Sequence, residues 1–183
     1  MVYNNICRGC ISCNPPFCLF QNTFFIFTHT GGYTLTKILV DADACPVKGI
    51  IEKTAKQYAI SVTMLIDTSH ELASVYSTII TIGRGKDAVD MALINMTDKG
   101  DIVVTQDYGV AAMALSKQAY AINQDGRVYS NANIDQLLFE RHLSAKVRRA
   151  GGRTGKFKKR TEQDNDDFEQ AFIKLCETVG AGS

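Results

Sequence analysis

No apolar run in these 183 residues approaches the roughly 20 that a helix needs to cross a bilayer, so no membrane-spanning helix is expected. Net charge is nearly absent too: 20 Lys and Arg stand against 19 Asp and Glu, a formal +1. The bulk balance therefore names no partner. Histidine is scarce, and His70 and His142 stand at no spacing that fits a metal pair or a catalytic triad. Both read as surface or hydrogen-bonded side chains. Cysteine is rare beyond residue 18, where only Cys45 and Cys176 of six remain. With no secretory context a disulfide framework is not expected, and reduced thiols of a cytoplasmic protein are. There is no internal repeat.

Residues 1–36 lack charge, with Arg8 alone ionised. They hold a C-x2-C-x2-C-x4-C pattern at Cys7, Cys10, Cys13 and Cys18 and an apolar knot at Phe24–Phe27. The last spacing is off the ferredoxin run and no second cluster follows, which argues against iron–sulfur ligation. The basic n-region is thin, the apolar core is short and no A-x-A site follows, which argues against a signal peptide. The preferred expectation is that residues 1–34 are an extension, disordered or upstream of a natural start near Leu35. Residues 35–183 are then read as a single domain.

That domain is organised around Lys37–Lys48, KILVDADACPVK. Ile38, Leu39 and Val40 form an apolar run without polar alternation, the pattern of a strand buried on both faces. Asp41 and Asp43 follow directly, and Pro46 suits the first position of a helix over Pro46–Tyr58. Strands are expected at Ile60–Ile66, Val75–Ile82, Asp101–Thr105 and Ala119–Ile122. An Asp-Gly turn in Asn123–Ser130 points to a small hairpin. Helices are expected at Asp87–Met96, with Ala88, Met91, Ala92 and Asn95 on one side, and at Val110–Lys117. Another is expected at Asn133–Arg149, with Ile134, Leu137, Leu138, Leu143 and Val147 as its stripe. The last is Glu162–Val179. Strands alternating with helices predict an α/β fold, a three-layer, Rossmann-like sandwich around a mainly parallel sheet.

Open α/β sheets bind ligands at the carboxyl ends of their strands, at the switch point of strand order. Asp41 and Asp43 end the first strand, and Asp107 follows the fourth. Asp87 and Asp90, three apart, share a helical face. The Gly83-Arg84-Gly85-Lys86 turn precedes them, where a phosphate can approach. Helix capping explains any one of these acids but not the set. Clustered carboxylates favour a hard cation, Mg²⁺ or Mn²⁺, so Asp41, Asp43, Asp87, Asp90 and Asp107 are the candidate metal ligands. Asp41 and Asp107 are the candidate catalytic pair. Cys45 has no histidine near it in sequence and reads as a packing thiol.

Charge is segregated along the chain. Arg141–Arg160 carries nine Lys and Arg and no acid, and Thr161–Ser183 carries six acids and one Lys. With the glycines of 151–160 giving an arm, Arg148, Arg149, Arg153, Lys156, Lys158, Lys159 and Arg160 are candidate contacts to a phosphate backbone.

The segments DADACPVK, IDTSHEL, GKDAVDMAL, GDIVVTQDYGVAAMAL and GGRTGKFKKR together resemble the YaiI/YqxD family of uncharacterised bacterial proteins, over about Leu35–Val179. The resemblance implies a PIN-like domain in a cytoplasmic protein, with acids from several strand ends around Mg²⁺ or Mn²⁺. It matches Asp41 to the first PIN acid, Asp87 or Asp90 to the helix-borne acid and Asp107 to the acid after strand four. Glu52 is the candidate for the acid of an early helix, and Asp43 is additional to the pattern. The expected function is a metal-dependent nuclease acting on RNA or single-stranded nucleic acid. One alternative is an aspartyl-phosphate phosphatase, on the likeness of DADAC to a DxDx[TV] opening. The other is a nucleic-acid-binding protein without catalysis.

Overall fold

Ile38, Leu39 and Val40 are wholly buried in the computed structural model, which describes residues 36–180 except 44, 70, 84, 86 and 152–158. They form the middle of β1 (Lys37–Asp41). This strand is flanked by parallel neighbours on both sides, β2 (Ser61–Asp67) and β4 (Ile102–Val104). A strand with two partners and two covered faces has no solvent side, which is why its apolar run does not alternate.

The sheet among the described residues has six strands in the order β3-β2-β1-β4-β5-β6. β3 (Thr78–Ile82) pairs with β2, and β5 (Tyr120–Ile122) with β4, both in parallel. β6 (Val128–Tyr129) returns antiparallel to β5 with Ala121 opposite Tyr129. The order reverses between β1 and β4, the expected switch point.

Alternate residues of β1 supply two cores. Ile38 and Val40 pack with Ile51 of α1 (Lys48–Gln57) and with Phe168 and Phe172 of α5 (Glu162–Gly180). Leu39 faces the opposite layer. There it meets Leu93 of α2 (Ala88–Met96), Val110 of α3 (Tyr108–Ser116) and Ile134 and Leu137 of α4 (Ile134–Arg149). The result is the three-layer α/β sandwich, with Tyr33–Ser183 as one compact unit. The expected extension of residues 1–34, with its cysteine cluster, lies outside the described residues. No described helix is long and apolar enough to cross a membrane.

The hairpin turn is where a glycine is required. Gly126 sits at φ +82°, and a Cβ there would stand 2.8 Å from the backbone oxygen of Asp167 in α5. The loop is further held by Asn123, whose Oδ1 accepts from the amides of Asp125 and Arg127.

Four local expectations are corrected. The first helix starts at Lys48, not at Pro46: Pro46 is exposed in a turn that swings buried Cys45 and Val47 inward first. The third strand begins at Thr78, because Val75 is fully exposed in a bend held by Ser74. In α2 the packed residues are Leu93 and Ile94, helped by Val89, Ala92 and Met96, while Met91 and Asn95 face solvent. That helix is apolar on nearly every side, so docking against Leu39 and Leu65 sets its phase, not its own periodicity. In α4, Ile134, Leu137 and Leu138 pack, but Leu143 and Val147 are 44% and 47% exposed. The helix runs past the layer it packs on, and its second half contains no buried residue.

Candidate metal and nucleic-acid site

The carboxyl ends of β1 and β4 lie side by side at the switch point. Asp41 is the last residue of β1, and Thr105 directly follows β4. The Thr105 hydroxyl donates to Asp41 Oδ2 at 3.4 Å and accepts from the Asp107 amide at 3.1 Å. Asp107 is the N-cap of α3, its Oδ1 accepting from the amides of Gly109 at 2.7 Å and Val110 at 3.4 Å. Its other oxygen takes Nη1 of Arg141 at 2.8 Å. Asp43 ties the loop after β1 to the end of β2 by accepting from the Asp67 amide at 2.9 Å. Asp87 holds the N-cap position of α2 in left-handed backbone, φ +59°, yet its side chain makes no capping bond. Asp90 lies in the first turn of the same helix.

These residues line one open cleft of about 980 Å³, together with Asp67, Ser69, Tyr108, Arg141 and Arg148. Its electrostatics show how they neighbour one another. Burial pushes the Asp41 carboxyl above its ordinary range, and the negative charges of Asp90 and Asp43 add to that. Burial likewise raises Asp90, with Asp107 and Asp87 as its like-charged neighbours. Burial would raise Asp107 too, but the Arg141 hydrogen bond and the α3 amides outweigh it, so that carboxyl is lowered. Asp90 is thus the acid that interacts with both Asp41 and Asp107, the two that the sequence paired directly. Among the described residues no three His, Cys, Asp or Glu are close enough to make a ready metal cluster. Cys45 borders the cleft as a buried thiol whose pKa burial pushes up, which suits packing and not nucleophilic attack.

The basic candidates separate. Arg148 lines the cleft, and Arg149 is exposed beside it on α4. Lys159 is exposed; Arg153, Lys156 and Lys158 lie outside the described residues. Arg160 is engaged internally. Its guanidinium donates to the Gln124 and Asp164 carbonyls at 2.7 and 3.0 Å, and to Asn165 and Asp125 side chains, pinning the hairpin loop to the start of α5. Glu52 is not at the cleft. It accepts from the hydroxyls of Ser74 and Ser77 and holds the bend before β3.

Sequence reasoning assigned no role to Thr105, Asp67, Ser69 or Tyr108, and counted Arg141 only as the first residue of the basic run. Two of these carried a signal. Asp67 ends β2 as Asp41 ends β1. Arg141 precedes Arg148 by seven residues, two helical turns, so the two share a face.

The family described as "Uncharacterized BCR, YaiI/YqxD family" matches residues 39–178, the stretch that contains every acid of the cleft. The chain belongs to the YaiI/YqxD family. This YaiI/YqxD chain is 63% identical over 146 residues to the UPF0178 protein of Ruminiclostridium cellulolyticum, covering 80% of this chain and 95% of that protein. It is 57% identical over 141 residues to the UPF0178 protein of Clostridium acetobutylicum, covering 76% and 95%. To that of Lachnoclostridium phytofermentans it is 54% identical over 148 residues, covering 79% and 99%. The names of these relatives state no activity, and no solved structure matches the chain.

Proposed function

We propose that this YaiI/YqxD protein is a cytoplasmic, metal-dependent phosphodiesterase that cleaves RNA or other single-stranded nucleic acid. The observation that carries the reading is the convergence of Asp41, Asp43, Asp87, Asp90 and Asp107 on one open cleft at the sheet's switch point, with Arg141 and Arg148 on its wall. The donor set fits a hard divalent cation. It is made of carboxylates alone; burial holds Asp41 above its ordinary range with Asp90 and Asp43 adding to it, and burial holds Asp90 up with Asp107 and Asp87 adding to it. Such a set is short of positive charge. Mg²⁺ and Mn²⁺ keep several waters, so they need one or two carboxylates and not a closed cage. One or two of Asp41, Asp90 and Asp107 would hold the ion directly and the rest would reach it through its waters, with Asp43 and Asp87 adding negative field. When bound, such an ion polarises a phosphodiester and makes a water more acidic.

The chain's own groups supply the rest. Thr105 bonds both Asp41 and the Asp107 amide, which keeps the two strand ends in register. Arg141 and Arg148 give a backbone phosphate two cationic contacts beside the acids. The phosphatase alternative asks for a lysine at an aspartyl nucleophile, and among the described residues no lysine lines the cleft.

The test is incubation of single-stranded RNA with the full chain in Mn²⁺ and in chelator. Cleavage in Mn²⁺ alone supports the reading; binding that is equal in both, without cleavage under any metal, supports the non-catalytic alternative. A second expectation concerns affinity. Neutralising Arg148, Arg149 and Lys159 should weaken binding across sequences. It should also flatten the log–log salt dependence by roughly 0.7 for each phosphate that is no longer neutralised. An unchanged slope means these residues are solvated. Arg160→Ala should instead show its effect in melting temperature, since its guanidinium is spent inside the fold.

A further inference from the structure

Arg141 makes two contacts that compete with the proposed chemistry. Its Nη1 lies 2.8 Å from Asp107 Oδ2, and its guanidinium stands 5.8 Å from the centre of the Tyr108 ring. The other Asp107 oxygen is committed to the α3 amides. Among the described residues, Arg141 therefore holds the one Asp107 oxygen that points away from its own helix cap. The pair is open to water, with side chains 50% and 32% exposed, so it is a contact that can be exchanged. Arg141 also sits on the same helical face as Arg148, on the wall of the cleft.

We infer that Arg141 is a tethered counter-cation, neutralising Asp107 until a nucleic-acid phosphate draws it away and releases that carboxylate for the divalent ion. The inference rests on the metal reading above and adds to it a coupling between its two ligands. Cation and guanidinium lay claim to the same oxygen, so each weakens the other there. A phosphate that engages Arg141 removes the competitor, and by linkage the ion in turn favours phosphate binding. The same movement uncovers the face of Tyr108, which lines the cleft and becomes available to stack on an unpaired base. The arrangement thus favours single strands, whose bases are free to stack.

The experiment is calorimetric titration of the full chain with Mn²⁺, in the wild type, Arg141→Ala, Arg141→Lys, Asp107→Asn and the Asp107→Asn/Arg141→Ala double variant. Arg141→Ala should bind Mn²⁺ about two- to fivefold more tightly than the wild type, the range of an exposed ion pair. Arg141→Lys, which keeps the charge, should stay near the wild type. Removing Arg141 in the Asp107→Asn background should bring no gain, because the contested oxygen's charge is already gone. In parallel, anisotropy of a labelled single-stranded oligonucleotide in chelator should show weaker binding by Arg141→Ala. The two readouts move in opposite directions, which a merely structural role for Arg141 would not produce. If the wild type binds Mn²⁺ and Arg141→Ala binds it equally or less well, the counter-cation role is wrong while the metal reading stands. If the wild type binds no Mn²⁺, the metal reading falls and this inference with it.

Discussion

Asp41→Asn should lower metal-dependent cleavage of single-stranded nucleic acid by roughly 10²–10⁴-fold and, in the same protein, raise the melting temperature of the metal-free form. The two effects have one origin. Asp41 is held beside Asp90 and Asp43 in a partly buried place, which raises its carboxyl pKa in the folded chain. A carboxyl raised on folding binds protons more tightly in the native state than in the unfolded one. Stability is then lost as pH rises from the ordinary carboxylate range through the raised value. Asn keeps the acceptor for Thr105 and the Asp43 amide while removing the charge. In chelator at about pH 7 the variant should therefore melt above the wild type. At about pH 3, where the wild-type carboxyl is protonated in both states, the difference should vanish. Melting curves at the two pH values check this. A variant that melts lower at pH 7 would mean that the Asp41 charge stabilises the fold, as a cap does. Adding Mn²⁺ should reverse the order at pH 7, since an ion that binds only the folded wild type stabilises it by mass action.

The largest stability loss is expected at the opposite layer, away from the cleft. Phe168 and Phe172 of α5 are wholly buried and stacked, with ring centroids 5.4 Å apart and planes inclined by 14°. They share a core with Ile38, Val40 and Ile102, the very strands whose ends carry the acids. Phe172→Ala removes a ring from a place that the rigid sheet cannot collapse to fill, which costs about 3–5 kcal/mol. Urea titration should show a lower midpoint with an unchanged slope. A loss below about 1 kcal/mol would mean that α5 is dispensable to the sheet. The contrast with Asp41→Asn is the point of the pair. One substitution should cost stability without touching a group at the cleft, and the other should cost activity while adding stability.

Residues differ in how openly they declared these positions. Ile38-Leu39-Val40 declared a strand buried on both faces because absence of alternation has a single cause in a short β-branched run. Asp41 and Asp107 were paired because a Rossmann-like strand order sets strands one and four on either side of the switch point, and the sheet has that order there. Met91 misled because α2 is apolar all round, so only the sheet decides which side is buried. Leu143 and Val147 misled for a different reason: periodicity reports which residues share a face, not how far the neighbouring layer extends. The Arg141–Asp107 pair joins residues 34 apart, and no local rule announces it. Arg160 looked like the rest of a basic run, yet its partners Gln124 and Asp125 come from a hairpin that only the fold brings near. Glu52 sat on the expected early helix, but α1 covers the sheet face that it shares with α5, and Glu52 is spent on Ser74 and Ser77.

The most direct measurement is calorimetric titration of Mn²⁺ into the wild-type chain and into Asp41→Asn, both in metal-free buffer. Saturable binding by the wild type, lost or at least about tenfold weaker in a folded Asp41→Asn, is the predicted result. Equal binding by the two, or no binding by the wild type, would make the acids of the cleft structural and contradict the metal-dependent reading.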